Sequence, residues 1–384
     1  MRILAISHDS TLYGAQRSFC DTVEGLDAMG HEIEVCTPRP GPLVERLQTA
    51  RIPVIIHPFR LWLPIRNASR RWTPYLMLLR LPAAIFRAIQ IIKRGNYDVV
   101  YTNTVTVIDF AIAARLLGKS HIWHLREAAA GNEQLRCLFS NALIGTVASS
   151  LSRYVIYNSK HLKKTYAGVR HANALVVHNG FTWNLPDHPV PARVDGQVRL
   201  LTVGYMGHLK GLDLILEALL RLDPETLARL SLDIAGEVDR KYWSEHISAR
   251  IELLNTIRPT VRHLGWVADT SMLYSNADIL VSASRGEAFG RSLVEAMGYG
   301  LPVIATRCGG PSEIVMDGET GIMLEVGDIS ALANAITTLV EDPTLRTKMG
   351  CQAKLHAHAR FSLPVYLENM NEIFLSTARA NSSV

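Results

Sequence analysis

Short apolar runs rich in β-branched residues alternate along this chain with stretches of helical spacing. Each run has the length and composition of a buried strand. The predicted strands of the first half are 2–7, 32–37, 53–57, 97–102, 121–124, 154–158 and 174–178. Those of the second half are 198–203, 230–235, 261–265, 278–283 and 302–306. Strands that alternate with helices in this way predict parallel sheets with helices on both faces.

The alternation is broken at NGFTWNLPDHPVPARVDGQ (179–197), which is rich in proline and polar residues. We therefore predict an α/β protein of two doubly wound, Rossmann-like domains, residues 1–180 and 198–361, joined by a linker at 181–197. Residues 362–384 are predicted to form a helix that crosses back to the first domain. Two such domains facing across a cleft would bring strand carboxyl ends and helix N-termini around a ligand.

The composition is that of a soluble globular enzyme, with 48% hydrophobic and 20% charged residues among 384. Five cysteines form no CxxC pair and no metal-like spacing: Cys20, Cys36, Cys137, Cys308 and Cys351. This usage suits a reducing cytosol and argues against a disulfide framework or a zinc site. The N-terminal MRILAISHDS has no basic region or cleavage site, and no uncharged apolar run reaches about 18 residues. We therefore expect neither a signal peptide nor a membrane span.

The segment SRGEAFGRSLVEAMGYGLPVIAT (284–306) places two acids around a predicted helix start. Glu287 lies in the loop after a strand, and Glu295 lies about one turn inside a helix predicted to begin at Arg291. Gly290, between the two acids, lets an anion approach the backbone closely. The first backbone N–H groups, at the positive end of the helix dipole, belong to Phe289, Gly290, Arg291 and Ser292. This order suits a nucleoside diphosphate sugar, with amides on the diphosphate and acids on hydroxyl groups. Alternatively, Glu287 only favours the helix N-terminus and Glu295 is a solvated surface residue.

The same segment, continued by RCGGPSEIVMDGETGIMLEVGD, closely resembles the signature of the group 1 glycosyltransferases. These are retaining enzymes of the two-domain GT-B fold. The resemblance implies that the paired glutamates contact the donor sugar and the ribose. It implies donor binding by Glu287, Ala288, Phe289, Gly290, Arg291, Ser292 and Glu295.

The segment VGYMGHLKGLDLILEAL (203–219) resembles the glycine loop of the family's second domain. The resemblance implies that Lys210 neutralises the donor diphosphate. Tyr205 stands where the family usually has arginine, which removes one positive charge and leaves more of the phosphate binding to Lys210 and backbone N–H groups. The alternative for Lys210 is an exposed lysine at a helix start, where a cation is mildly unfavourable.

Three further segments follow the family order. The first resembles the family's nucleobase-binding segment and reads HLGWVADTSMLYSNADILVSASRGEAFG. The resemblance implies that the backbone at Trp266 and Val267 contacts the nucleobase. Trp266 is equally consistent with packing within a domain. The second is HDSTLYGAQRS, which resembles the family's glycine-rich loop after the first strand and implies that Gly14 lies beneath the phosphate. It is not the dinucleotide-binding fingerprint, because GxGxxG is absent after the first strand. The third is HIWHLREAA, where the resemblance implies that His124 orients and polarises groups near the anomeric centre of the donor sugar. Without the resemblance, a lone histidine is usually structural.

The implied chemistry needs no cofactor and no obligatory metal. No two aspartates are spaced two apart, so the metal-binding DxD of the other main glycosyltransferase fold is missing. Helix N–H groups and Lys210 would then meet the diphosphate charge. The resemblance implies retention, and we expect same-face attack in which the departing phosphate oxygen helps to take the acceptor proton. The candidates for this step are His124, Lys210 and Glu287, with Glu287 as a positioning group.

Positive charge is concentrated in one part of the first domain. Ten Lys or Arg residues and no acid lie from Arg46 to Tyr97, which leaves 30 basic against 35 acidic residues elsewhere. Within it, 61–95 combines arginines with tryptophans and aliphatic residues, typical of a cationic helix on an anionic membrane. The candidate acceptor or membrane residues are Arg66, Arg70, Arg71, Arg80 and Arg87. A core helix with snorkelling arginines, or a site for a soluble anionic acceptor, are alternatives. Nucleic acid is disfavoured, because aliphatic residues outnumber stacking ones.

These features together predict a cytoplasmic retaining glycosyltransferase, peripheral on the inner face of the cell membrane if the basic stretch contacts lipid. Its donor would be a UDP- or GDP-linked sugar. Its acceptor would be a glycan or polyprenyl-linked precursor of a lipid-linked or surface polysaccharide. One alternative is a GT-B relative that uses a soluble acceptor or acts as an epimerase. Another is a non-catalytic surface-binding protein on the same scaffold, which the replacement at Tyr205 alone supports.

Overall fold

The computed structural model describes residues 1–58, 61–63, 73–130, 135, 137–167, 172–183, 197–257 and 261–379. The chain forms two compact units. The first contains Met1–Gly180 and Leu363–Val384, and the second contains Phe181–Ser362. Each unit is built around one parallel sheet.

The sheet of the first unit has seven strands in the order β3-β2-β1-β4-β5-β6-β7. The strands are β1 Arg2–Ile6, β2 Glu32–Thr37, β3 Val54–Ile56, β4 Val99–Thr102, β5 Ser120–Leu125, β6 Tyr154–Tyr157 and β7 Ala174–Val176. The direction of growth reverses at β1, where Ile3 pairs with Ile33 of β2 on one side and Val99 of β4 on the other. In an open parallel sheet such a reversal leaves a crevice at the strand carboxyl ends.

Helices cover both faces of this sheet. They are α1 Gly14–Ala28, α2 Pro42–Thr49, α3 Thr73–Gly95, α4 Asp109–Leu116, α5 Asn141–Leu151, α6 Lys160–Tyr166 and, at the end of the chain, α16 Leu363–Arg379. Buried side chains of α1, α2 and α16 pack on one face, and those of α3 and α4 pack on the other. The last helix is tied to α1 by a hydrogen bond of 2.6 Å between the hydroxyls of Thr22 and Tyr366. The final helix of the chain is therefore part of the first unit's core.

The sheet of the second unit has six strands in the order β10-β9-β8-β11-β12-β13. The strands are β8 Val198–Val203, β9 Leu230–Ala235, β10 Val261–Gly265, β11 Ile279–Ser282, β12 Val303–Thr306 and β13 Gly321–Leu324. Here the reversal lies between β8 and β11, which pair at Leu200 and Ile279. The loops that follow these two strands therefore leave the sheet side by side.

The helices of the second unit again form two layers. They are α7 Leu212–Leu220, α8 Pro224–Ala228, α9 Arg240–Tyr242, α10 Ser248–Ile257, α11 Ser271–Asn276, α12 Arg291–Gly298, α13 Pro311–Ile314, α14 Ile329–Glu341 and α15 Pro343–Phe361. One core cluster joins the sheet to α7, α10 and α14. A second joins it to α11, α12 and α15.

The structure confirms the predicted fold class and every strand predicted from the sequence. The pattern missed β13, because its four residues GIML begin with glycine and follow a turn-rich DGET. The first residues of the predicted linker belong to the second unit, since Phe181 bridges Ser362 and Trp183 donates its indole N–H to the carbonyl of Glu295. Residues 184–196 of that linker lie outside the described part of the chain.

Candidate functional site

The residues with the strongest predicted roles in the second unit lie at the carboxyl ends of β8 and β11. The loop after β8 contains a short 3-10 turn, His208–Lys210, and the loop after β11 contains Glu287. Where the strand order of a parallel sheet reverses, the loops after the two adjacent strands diverge and leave room for a ligand between them. The fold therefore brings together two predicted site residues that are 77 positions apart.

Lys210 and Glu287 form an ion pair in which the ammonium Nζ lies 2.5 Å from Oε2 of the carboxylate. Both side chains are largely shielded, with 28% and 21% exposure. Burial alone would lower the pKa of Lys210, but the neighbouring Glu287 carboxylate outweighs burial and the pKa is raised. Lys210 is therefore a cation at neutral pH, held beside the Glu287 carboxylate.

The turn that carries Lys210 is held to the β11 loop by Arg285. The backbone N–H of Arg285 donates to the Leu209 carbonyl at 2.7 Å, and its Nη1 donates to the His208 carbonyl at 2.8 Å. The guanidinium also forms a two-pronged pair with Asp213, at 2.8 and 2.6 Å. The Tyr242 hydroxyl donates to the same carboxylate at 2.6 Å. This Asp213–Arg285 clamp, which the sequence did not suggest, fixes the lysine turn relative to the Glu287 loop.

We expect Asp213→Asn to lower the free energy of unfolding by about 2 kcal/mol at pH 7, because charge-assisted hydrogen bonds are lost. Urea denaturation followed by circular dichroism measures this change. Burial raises the pKa of Asp213, but hydrogen bonds from Arg285 and Tyr242 prevail and the pKa falls to about 2. The ionised Asp213 therefore contributes its full stabilisation above pH 3.8, the ordinary pKa of the group, and this stabilisation is lost as the pH falls through about 2.

A matched control for the clamp is Glu245→Gln, which removes an exposed carboxylate paired with Lys241 at 3.9 Å. Exposed ion pairs contribute little to stability, so Glu245→Gln should change the free energy of unfolding by no more than about 0.5 kcal/mol. Equal losses in both variants would show that the Asp213–Arg285 clamp has no special role.

Glu287 is held in place by backbone contacts with the loop after β12. Its N–H donates to the Cys308 carbonyl at 3.3 Å, and its carbonyl accepts from the Gly310 N–H at 2.9 Å. A Cβ at Gly310 would lie 2.4 Å from backbone atoms of Phe289, so only glycine allows this approach. Gly290 precedes α12 with a φ of 108°, a conformation that favours glycine. The two glycines thus set the start of α12 beside Glu287.

Glu295 lies one turn into α12, and both of its carboxylate oxygens have partners. Arg291 approaches Oε1 at 3.2 Å, and the Tyr274 hydroxyl donates to Oε2 at 2.8 Å. The Arg291 guanidinium also lies 4.6 Å from the centre of the Phe181 ring. Ala288 and Ser292 are half-buried, and the Phe289 side chain is buried. Glu295 is therefore held by hydrogen bonds within the second unit.

The predicted nucleobase and phosphate residues at the neighbouring strands are accessible. Trp266 follows the last residue of β10 and is 55% exposed, and Val267 is half-buried beside it. Tyr205, after β8, is 45% exposed. Burial and the nearby acids Asp239 and Glu237 raise the pKa of Tyr205. The position usually occupied by arginine thus carries a neutral phenol next to negative charge.

His124 lies in the interior of the first unit. It lies inside β5, its side chain is fully buried, and its Nδ1 is 2.9 Å from the Tyr101 hydroxyl. Burial and the nearby Arg126 lower the pKa of His124 well below its usual range. Its Nε2 has no hydrogen-bond partner among the described residues. The sheet face that His124 occupies is covered by α1 and α16, so the histidine is part of the interior of the first unit.

Arg126, two residues later, was not singled out from the sequence. It is 5% exposed and donates to the side-chain carbonyls of Asn103 at 2.6 Å and Asn179 at 2.5 Å. Within the described residues no acid forms an ion pair with it. The three side chains join the carboxyl ends of β4, β5 and β7, next to the loop in which Gly14 begins α1. Its position directly after a predicted strand was the only available signal.

Arg80 and Arg87 lie on α3 and are exposed, whereas Arg66, Arg70 and Arg71 fall outside the described residues. Over the described chain, no cluster of three or more His, Cys, Asp or Glu side chains is arranged for a metal ion. The described helices include none that is both long enough and apolar enough to traverse a bilayer.

Comparison with known families connects both units to one class of proteins. Residues 186–356 match the model of glycosyl transferases group 1, and residues 13–180 match the model of the glycosyl transferase 4-like domain. This chain belongs to the group 1 glycosyltransferases. The match over the second unit includes Lys210, Glu287 and Glu295.

Two curated relatives show the extent of this similarity. The lipopolysaccharide core biosynthesis glycosyltransferase LpsE of Rhizobium meliloti is 38% identical over 89 residues, 23% of this chain and 26% of the relative. The lipopolysaccharide core biosynthesis mannosyltransferase LpcC of Rhizobium leguminosarum bv. viciae is 28% identical over 182 residues, 47% of this chain and 51% of the relative. The chain thus matches from about a quarter to about half of the length of these relatives.

Among solved structures, Anabaena HepE in complex with UDP superimposes with a TM-score of 0.78 at 23% identity. The match covers 98% of this group 1 glycosyltransferase and 100% of HepE. HepE has also been solved with UDP-glucose. At this identity the match establishes the GT-B fold.

Proposed function

We propose that this protein transfers a sugar, with retention of configuration, from a UDP- or GDP-linked donor to a lipid-linked glycan precursor. The proposal rests chiefly on the ion pair between Lys210 and Glu287 at the reversal point of the second sheet. A cation, a carboxylate and the start of α12 meet there, and these are the groups that a sugar diphosphate requires. The relatives named for lipopolysaccharide core biosynthesis support an acceptor of the same kind.

In the proposed complex the donor diphosphate replaces Glu287 as the main partner of Lys210. The N-terminal end of α12 adds the positive end of its dipole, to which Gly290 allows close approach. Glu287, released from the lysine, accepts hydrogen bonds from the sugar hydroxyls, and Glu295 accepts from the ribose. The nucleobase contacts the backbone at Trp266 and Val267, and the exposure of Trp266 supports this part of the proposal.

The transfer step breaks the bond between the anomeric carbon and the phosphate oxygen and forms one to the acceptor oxygen on the same face. The acceptor proton passes to the departing phosphate oxygen. Lys210 and the α12 amides stabilise the charge that accumulates on the diphosphate. Glu287 orients the sugar and forms no bond to it. His124 and Arg126 take no part in this step and hold the first-unit loops in place.

Metal independence is part of the proposal. Lys210 would supply the positive charge that a divalent ion supplies in other transferases. The arrangement differs from most of the family in that Tyr205 brings no charge of its own, so the lysine carries more of the neutralisation.

The first test is stabilisation of the wild-type protein by UDP, GDP and ADP in a thermal unfolding assay. A nucleotide present at 100 times its Kd adds about 2.7 kcal/mol to the stability of the folded state. We expect UDP or GDP to raise the Tm by several degrees, with and without EDTA, and ADP to have less effect. Loss of the shift in EDTA would contradict metal independence.

A second measurement separates transfer from the alternatives. Incubation with radiolabelled UDP- or GDP-sugars and a membrane extract should move label into lipid-extractable glycan. Release of a changed nucleotide sugar without transfer would favour an epimerase. Absence of any nucleotide-dependent shift would favour a non-catalytic scaffold.

A further inference from the structure

A cavity of about 310 Å³ lies in the first unit beside the middle of α3. Its wall includes His57, which follows β3, and Asp109, which begins α4 after the β4 loop. Both lie beyond strand carboxyl ends, where parallel sheets bind ligands. The cavity is separate from the Lys210–Glu287 site, which belongs to the second unit.

The α3 side of the cavity wall carries positive charge. Arg80 and Arg87, both exposed on α3, line it, and neither forms an ion pair with any described residue. No acid occurs from Arg46 to Tyr97, so the helix and the segment before it contain no counter-ion. Two arginines beside one cavity favour an anion with several oxygens, because guanidinium groups match phosphate geometry.

The described wall contains one acid, Asp109. Asp109 is 3% exposed, and its Oδ1 has no hydrogen bond to any described residue. Burial raises the pKa of Asp109 to about 6. A buried acceptor that is left unpaired costs free energy, and a ligand that donates a hydroxyl group there would recover it. A sugar phosphate or a protonated phosphate supplies such a donor.

Apolar surface adjoins the arginines on the same helix. Leu79 and Phe86 are 78% and 61% exposed, and each directly precedes one of the two arginines. Residues seven apart are about two helical turns apart on one side, so the apolar and the basic pair form parallel stripes. Trp62 adds a fixed aromatic wall, because its indole N–H donates to the Val105 carbonyl at 2.7 Å. The cavity wall itself combines the two arginines with apolar residues that include Leu61 and Leu81, and Leu79 and Phe86 lie outside it on the adjoining surface of α3.

We propose that this cavity binds the phosphate of an acceptor in which the phosphate is attached to an apolar chain. The inference rests on the proposed function and specifies which part of the acceptor the first unit recognises. Arg80 and Arg87 bind phosphate oxygens, and Asp109 accepts a hydroxyl. Leu79, Phe86 and the Trp62 wall contact the start of the chain.

The test uses the full-length protein and isothermal titration with farnesyl phosphate below its micelle concentration. The double variant Arg80→Ala/Arg87→Ala should bind this probe at least tenfold more weakly than the wild type. The control Lys93→Ala/Arg94→Ala removes two exposed charges from the same helix outside the cavity and should change binding less than twofold. Circular dichroism verifies that both variants fold, as their exposed positions predict.

Farnesol, which has the chain without phosphate, and glycerol phosphate, which has phosphate without the chain, should both bind poorly. The cavity assignment would be overturned if both double variants weakened farnesyl phosphate binding equally. It would also be overturned if neither variant weakened it. Glycerol phosphate binding as tightly as farnesyl phosphate would overturn the apolar half and indicate a soluble anionic acceptor. UDP and GDP titrations of the same three proteins report on the proposed function separately, because the cavity variants leave the second unit unchanged.

Discussion

Glu287→Gln should reduce sugar transfer by on the order of 100- to 1,000-fold while leaving nucleotide binding as tight as before, or tighter. The amide keeps the shape of the side chain but accepts weaker hydrogen bonds from the sugar. In this structure Glu287 competes for Lys210 at 2.5 Å, so removing its charge frees the lysine for the diphosphate. Steady-state kinetics with a labelled donor and a parallel titration with UDP or GDP measure the two effects separately.

The separation of these effects makes the experiment decisive. Glu295→Gln serves as the comparison, since it lies one turn into α12 with two other partners and should weaken donor binding more than turnover. A Glu287→Gln protein with full activity would remove this carboxylate from the mechanism. A variant that loses nucleotide binding together with activity would instead show that the glutamate holds the diphosphate region open.

Lys210→Met is expected to weaken binding of UDP or GDP by about 10- to 100-fold, because one charge-assisted contact to phosphate is lost. Transfer should fall further, since the charge on the leaving group grows in the transition state. Glu287 would also be left partly buried without its cation, which lowers stability. Isothermal titration and urea denaturation measure binding and stability in turn.

Two controls define what Lys210 contributes. Lys241→Met removes a lysine that is 81% exposed and should leave all three quantities unchanged within about twofold. Lys210→Arg keeps the charge and should retain much of the nucleotide affinity. It should recover less of the turnover, because the planar guanidinium does not occupy the position of the compact ammonium. Full activity of Lys210→Met would reject the lysine as the substitute for a metal ion.

Much of the fold could be predicted because its signals are local. Strand β8 and helix α12 are set by apolar spacing, turn glycines and helix stops within about twenty residues of sequence. The two acids of the α12 segment and Lys210 were found through the same local order. β13 was missed because this strand of four residues has only one β-branched residue, Ile322, and begins with glycine.

The remaining features depend on contacts between distant positions. The clamp joins Asp213 to Arg285 across 72 positions, and the pattern around either residue alone gives no sign of the other. The burial of His124 depends on α16, more than two hundred positions later, because that helix and α1 cover its face of the sheet. Local pattern places a side chain on one face of a strand but does not determine what covers that face.

The return of α16 to the first sheet also affects how the protein is made. During synthesis the whole second unit, Phe181–Ser362, leaves the ribosome before Leu363–Arg379 does. Until then the face of α1 that packs against Leu367 and Tyr366 is open to water. The nascent first half therefore exposes apolar surface during this interval, and transiently exposed apolar surface favours aggregation.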